Sequence, residues 1–140
     1  MWQLFAFLSA VFAALVAVFG KIGIKSIDPI VATAVRSIIM ATITVLAAIV
    51  LHRSTVSPLS SIGVKDWIFI VFAGIAGALS WIFYFLALSS GEASKVSAID
   101  RTSLVFVVVL AAIFLGESMT WKTIIGMVLM VSGAVMMSLI

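Results

Sequence analysis

The sequence has no cysteine, a single histidine and two prolines in 140 residues. Without thiols there is neither a disulfide framework nor a thiolate metal site. One imidazole, His52, leaves histidine-rich metal clusters and nucleophile–base–acid triads without parts. No metal, cofactor or catalytic residue is therefore expected. Charge is just as scarce: Asp, Glu, Lys and Arg make up 9% of the chain, against roughly a quarter in a soluble domain. The net charge of +3 rests on eight basic residues scattered singly, so the continuous basic face of a nucleic-acid binder is missing. No phosphate loop is present either, because Gly20-Lys21-Ile22-Gly23 lacks both the spacing and a preceding strand.

What remains is apolar. Hydrophobic residues form 65% of the chain, and its mean hydropathy is +1.42. Uncharged runs cover 1–20, 37–51, 67–91, 102–116 and 123–140, where a helix crossing a bilayer needs about 20 residues. The first, third and fifth runs meet that requirement nearly unaided. The second and fourth cross only if they take in their charged N-terminal flanks. β-Branched stretches such as VFVVVLAAIF favour strands, but the runs are continuous rather than alternating and too few for a membrane barrel. Met1-Trp2-Gln3 offers no basic leader, so a retained first helix is expected in preference to a cleaved signal peptide.

Capping residues extend the short runs. Asp28-Pro29 supplies a carboxylate for free backbone N–H groups and a proline where no donor is missed. The second helix therefore opens there and encloses Arg36. Ser89 and Glu92 have capping-box spacing, and Gly91 marks the end of the third helix. The fourth helix thus encloses Lys95, Asp100 and Arg101. Ser57-Pro58 punctuates the second connection, and Thr120 is expected to cap the last helix. The predicted fold is an all-α polytopic membrane protein, a single domain over 1–140. Its five transmembrane helices cover 2–25, 29–51, 64–89, 91–115 and 120–139, and short connections make consecutive helices antiparallel.

That topology gathers ionisable groups toward one membrane face. Lys21 and Lys25 end the first helix there, while Arg36, Asp100 and Arg101 enter from the same side. Ions in hydrocarbon are costly, and such groups usually face the bundle interior or a polar cavity and find partners. Asp100 is expected to pair with Arg36 or Lys21 on another helix. Simpler roles stay open: the lysines can snorkel to headgroups, and Arg36, Asp100 and Arg101 can form structural bridges. On the third helix, Trp81 and Tyr84 can line a pocket or merely pack. Gly74 and Gly77, and Gly126 and Gly133 on the last helix, have the small-residue spacing of close helix packing. Trp2, Trp67 and Trp121 fall at helix ends on the opposite face, as interfacial anchors do.

Taken in order, these residues make the chain resemble the EamA-like branch of the drug/metabolite transporter superfamily. The resemblance runs over essentially the whole length. It is carried by Phe19-Gly20-Lys21 with Lys25, Asp28-Pro29 with Arg36, Trp81 through Tyr84 to Ala87-Leu88, and Ala93 to Ser97. Its strongest part is Ala111-Ala112-Ile113-Phe114-Leu115-Gly116-Glu117, followed by Trp121, Gly126 and Gly133. Family members commonly have ten helices in two units of inverted topology, so this chain supplies one half of that architecture. The fourth helix often carries a proline where this one has Asp100-Arg101-Thr102, so the helix break expected near the substrate site is absent or made differently.

The resemblance implies a multi-pass protein of the cytoplasmic membrane that transports or exports a small metabolite or drug-like solute by alternating access. Its partners are the lipid bilayer, the solute and a second copy of itself. One unit per chain calls for an antiparallel dimer, hence insertion in both orientations. Lys21, Lys25 and Lys95 on one face balance Arg53, Lys65 and Lys122 on the other, and such a balance leaves orientation undecided. The alternative function is a non-transporting accessory subunit that uses its charges to assemble with another membrane protein. An enzyme at the lipid surface is not expected, since no nucleophile or metal set shares a face.

Overall fold

A computed structural model describes residues 2–51 and 62–139. Ser57-Pro58, His52 and Arg53 lie outside those residues. The described elements are α1 (Trp2–Gly23), α2 (Pro29–Leu51), α3 (Val64–Ser90), α4 (Ala93–Asp100), α5 (Ser103–Phe114) and α6 (Trp121–Leu139). Five segments are long and apolar enough to cross a membrane: α1, α2, α3, the stretch Ala93–Phe114 that joins α4 to α5, and α6. At most 6% of the most apolar stretch of each is buried within the chain. Side chains such as Phe7, Ile38, Phe72, Phe106 and Leu129 are largely exposed. A continuous coat of exposed Phe, Ile, Leu and Val is incompatible with water and suits lipid tails.

The chain forms two compact units. One contains α2 and α3, and spans Gly23–Ser89. Helix α2 opens as its sequence dictates: Asp28 Oδ1 accepts the amides of Ile30 at 2.8 Å and Val31 at 3.1 Å, and the Asp28 carbonyl accepts the Ala32 amide. Its hydroxyls turn back onto their own helix. Thr33 donates to Pro29 O, Ser37 to Thr33 O and Thr42 to Ile38 O, while Thr44 reaches Met40 O. Such back-bonding satisfies polar groups that hydrocarbon cannot, and Thr33 is buried without an orphaned oxygen. Phe85 and Leu88 on α3, at 2% and 0% exposure, are the most deeply buried large side chains.

The second unit comprises residues 1–22 and 90–140, and within it α4 packs on α6. Helix α6 is capped by Thr120, whose Oγ1 accepts the Thr123 amide at 3.3 Å and lies 2.8 Å from the Thr123 hydroxyl. The capping box expected ahead of the fourth span does not form. Ser89 still belongs to α3 and donates to Leu86 O at 2.7 Å, and Glu92 takes the cap position without a side-chain bond. Glu92 instead meets Lys95 at 3.8 Å, a partly exposed ion pair of small energetic weight.

The fourth span, Ala93–Phe114, contains two helices, α4 and α5, joined at Arg101 and Thr102, both right-handed helical in backbone with φ near −65° and ψ near −15°. The Thr102, Leu104 and Val105 amides reach three residues back, to Ile99 O, Arg101 O and Thr102 O. The Thr102 hydroxyl also donates to Ile99 O at 2.7 Å. A threonine bonding its own helix in this way tightens the turn. The Ala98 and Asp100 carbonyls consequently lose the amides an unbroken α-helix would bring them.

Candidate functional site

Arg36 stands seven residues beyond Pro29 on α2, roughly 10 Å of helix axis into the span. A guanidinium there costs about 3 kcal/mol to insert on translocon-type scales, so its surroundings matter. The Arg36 Cζ lies 3.8 Å from the centroid of the Trp81 ring and 5.2 Å from that of Phe85. Each contact lies inside the range at which an aromatic face attracts a cation. Nη1 donates to the Met40 thioether at 2.8 Å, one helical turn away. Within its own unit the guanidinium is thus flanked by two rings and a sulfur. Among the described residues, Nε and Nη2 meet no hydrogen-bond acceptor, although both are shielded from solvent.

The rings are themselves ordered. Trp81 meets Tyr84 edge to face, with centroids 5.6 Å apart and planes at 79°. Phe85 completes a triangle, 6.1 Å from Trp81 and 6.0 Å from Tyr84. The sequence singled out Arg36, Trp81 and Tyr84, and α2 and α3 bring Arg36 onto Trp81. Phe85 stands beside Trp81 on α3, and Met40 was not singled out although it follows Arg36 by four residues, so helical spacing was the available signal.

Lys21 is engaged in its own unit. Its Nζ donates to the Gly91 carbonyl, just ahead of α4, at 2.8 Å. A charged donor on a part-buried backbone oxygen makes a strong bond and ties the end of α1 to the start of the fourth span. Lys25 lies past the end of α1, in the connection to α2. Asp100 is the last residue of α4 and Arg101 opens the 3₁₀ turn, and both are exposed on the chain. The charged pair therefore sits where the fourth span changes helix type.

Among the described residues, a Cβ added at Gly74, Gly77, Gly126 or Gly133 would meet no heavy atom within 4 Å. Trp2, Trp67 and Trp121 occupy the first turns of α1, α3 and α6 and are exposed, as interfacial anchors must be. An apolar hollow of about 280 Å³ runs along Val64, Trp67, Ile68, Val71 and Phe72, with almost nothing polar to orient a solute. No group of three or more His, Cys, Asp or Glu residues suited to a metal occurs among the described residues.

Five apolar spans, one of them changing helix type at a charged pair, define a multi-pass α-helical membrane protein with cations inside its spans. Comparison with known proteins makes this specific. The model of the EamA-like transporter family matches residues 1–139. A curated relative from Sinorhizobium sp., described as an uncharacterized transporter in the cobO 3′ region, is 36% identical over 137 residues, covering 98% of this chain and 96% of the relative. The chain belongs to the EamA-like transporter family, a family of membrane transporters rather than enzymes. No solved structure matches it significantly.

Proposed function

We propose that the chain is one half of an alternating-access transporter that moves, and in the cell exports, a small metabolite or drug-like solute across the cytoplasmic membrane. The observation that carries this reading is the interruption of the fourth span at Asp100-Arg101-Thr102. Discontinuous helices supply transporters with backbone polar groups and a flexing point near the bilayer centre. Here a 3₁₀ turn and a threonine do what a proline does elsewhere in the family. Lys21, Arg36, Asp100 and Arg101 are the candidate charges of the solute path, and Trp81 and Tyr84 its candidate aromatic residues. Asp100 and Glu92 are the acids placed to carry a coupling proton.

The full transporter is an antiparallel homodimer, in which two inverted copies supply two equivalent gates. Support comes from the small bias in Lys and Arg, three against three near the helix ends and five against three with the deeper Arg36 and Arg101, and from glycines with open space beside them among the described residues. Gly74, Gly77, Gly126 and Gly133 then allow close approach of the second copy.

Purified protein in liposomes, screened against amino acids, nucleobases and cationic drugs, tests transport. Saturable flux of at least one class is expected, and no flux of any points instead to an accessory subunit. An imposed pH gradient that leaves flux unchanged excludes proton coupling. C-terminal reporters, one active only inside the cell and one only outside, test orientation. Comparable signal from both is expected, with either one silenced by two added lysines on one face. A single active reporter in the unmodified chain rules out the antiparallel homodimer.

A further inference from the structure

The transport reading leaves the solute's chemistry open, and the hydrogen bonding of Arg36 narrows it. A guanidinium has five N–H donors in a rigid fork. In this structure its Cζ lies over the Trp81 ring, 3.8 Å from the centroid, and Nη1 is taken by Met40. Nε and Nη2 reach no acceptor among the described residues and are shielded from solvent. These two atoms form the side-on edge of the fork, the edge whose parallel N–H bonds match the two oxygens of a carboxylate.

Buried donors are rarely left unmet, and an orphaned pair on a full charge calls for an explanation. The unit that holds Arg36 does not provide one. Its sequence contains two acids, Asp28 and Asp66. Asp28 Oδ1 is committed to the α2 cap. Asp66 precedes Trp81 by fifteen residues on the same helix, roughly 22 Å of axis. The side chains that fix the guanidinium are instead apolar or aromatic: Trp81, Phe85 and Met40. They orient the charge and leave its paired-donor edge uncommitted.

Resting on the transport reading, we propose that Arg36 is the anchor for a carboxylate group of the transported solute, received by the Nε and Nη2 donors, with Trp81 and Phe85 holding the guanidinium plane. The solute class is an organic carboxylate with an apolar or aromatic body suited to the neighbouring rings. The edge is closed to water in this conformation, so the solute reaches it when the site opens during the cycle. A lysine cannot replace the arginine at full strength, since an ammonium lacks the planar fork.

The test uses Trp81 as its own reporter. Trp2, Trp67 and Trp121 are each replaced by Phe, and Trp81 emission is followed in detergent at constant ionic strength. Hexanoate, hexanamide and hexylamine, alike in apolar body and different in head group, are titrated separately. A saturable response to hexanoate is expected, with the other two binding at least about 30-fold more weakly. Arg36→Lys should weaken hexanoate by roughly tenfold and Arg36→Gln by more, as expected for loss of a charge-assisted bidentate pair. Thermal shift by hexanoate provides a second readout, and Arg36→Lys keeps the test open if Arg36→Gln does not fold.

Equal binding of the amine or amide, or hexanoate binding unchanged in both Arg36 variants, overturns the proposal. So does a parent protein that ignores hexanoate while Asp100→Asn binds it, because the chain's own carboxylate then fills the fork. Liposome flux separates this inference from the transport reading. Flux of cationic or neutral solutes with none of carboxylates overturns the carboxylate anchor and leaves transport standing. Hexanoate binding through Arg36 with no flux of any solute supports the anion site and removes transport.

Discussion

The guanidinium carbon of Arg36 on α2 lies 3.8 Å from the ring centroid of Trp81 on α3, close enough for the ring face to attract the cation. A desolvated cation over an indole gains about 2 kcal/mol, which offsets part of the insertion cost and leaves two shielded donors unmet. A group held in this way stabilises little for the charge it carries. Arg36→Met, which removes the orphaned donors and keeps the apolar stem, should leave stability unchanged or raise it by about 1 kcal/mol, while solute flux is lost. Trp81→Leu should destabilise the parent by about 2 kcal/mol more than it destabilises Arg36→Met. Unfolding of the four proteins in detergent measures this coupling, and strictly additive effects would show that the ring contact carries no energy.

At the start of α2, Asp28 satisfies two backbone amides at once. Asp28→Ala should cost about 1 kcal/mol, and Asp28→Asn only a few tenths. Chemical denaturation compares them. Equal losses would mean that the charge of the cap, rather than its hydrogen-bonding oxygen, matters.

Asp100 closes α4 beside the 3₁₀ turn, whereas Glu117 lies past the end of α5. Asp100→Asn should abolish flux or destabilise the protein, and Glu117→Gln should do clearly less. Flux in liposomes and melting in detergent give both readouts. Small and equal effects would place Asp100 among the headgroups, outside the solute path.

Gly116 has φ +69°, the one positive φ among the described residues. It follows the α5 cap, Leu115, whose amide bonds to Ala111 O, and lets the Glu117 amide turn back to the same carbonyl at 3.3 Å. The space around it is open, so substitution acts through backbone conformation alone. Gly116→Ala should cost about 1–2 kcal/mol, and Gly116→Asn less, because asparagine tolerates the left-handed region. Equal melting temperatures for glycine and alanine at this position would contradict that account.

Local rules explain what could be read from the residues in order. Hydropathy located every span because a helix in lipid needs only length and apolarity. α2 begins at Pro29 as expected, and Asp28 and Thr120 cap their helices through bonds to amides two or three residues away. Local reasoning failed where two local patterns competed. Ser89 had capping-box spacing to Glu92, but α3 runs through it to Ser90, and its hydroxyl turned inward to Leu86 O. Apolarity is continuous after Asp100, while the Thr102 hydroxyl and the i−3 bonds around it tighten the turn within the fourth span. A difference of that kind amounts to one or two hydrogen bonds, which periodicity does not register.

Sequence alone determined that this protein lives in a membrane, where its helices lie and which family it resembles, because those properties follow from composition and spacing along the chain. Tertiary structure decided what the intramembrane charges touch. Within its unit Arg36 is flanked by Trp81, Phe85 and Met40, and of these only Met40 is near it in the chain. Lys21, which headgroup water alone could have satisfied, holds the Gly91 carbonyl instead. Residues far apart in the chain meet only when helices pack, so partner choice and unmet donors are set by three-dimensional packing rather than by any local pattern.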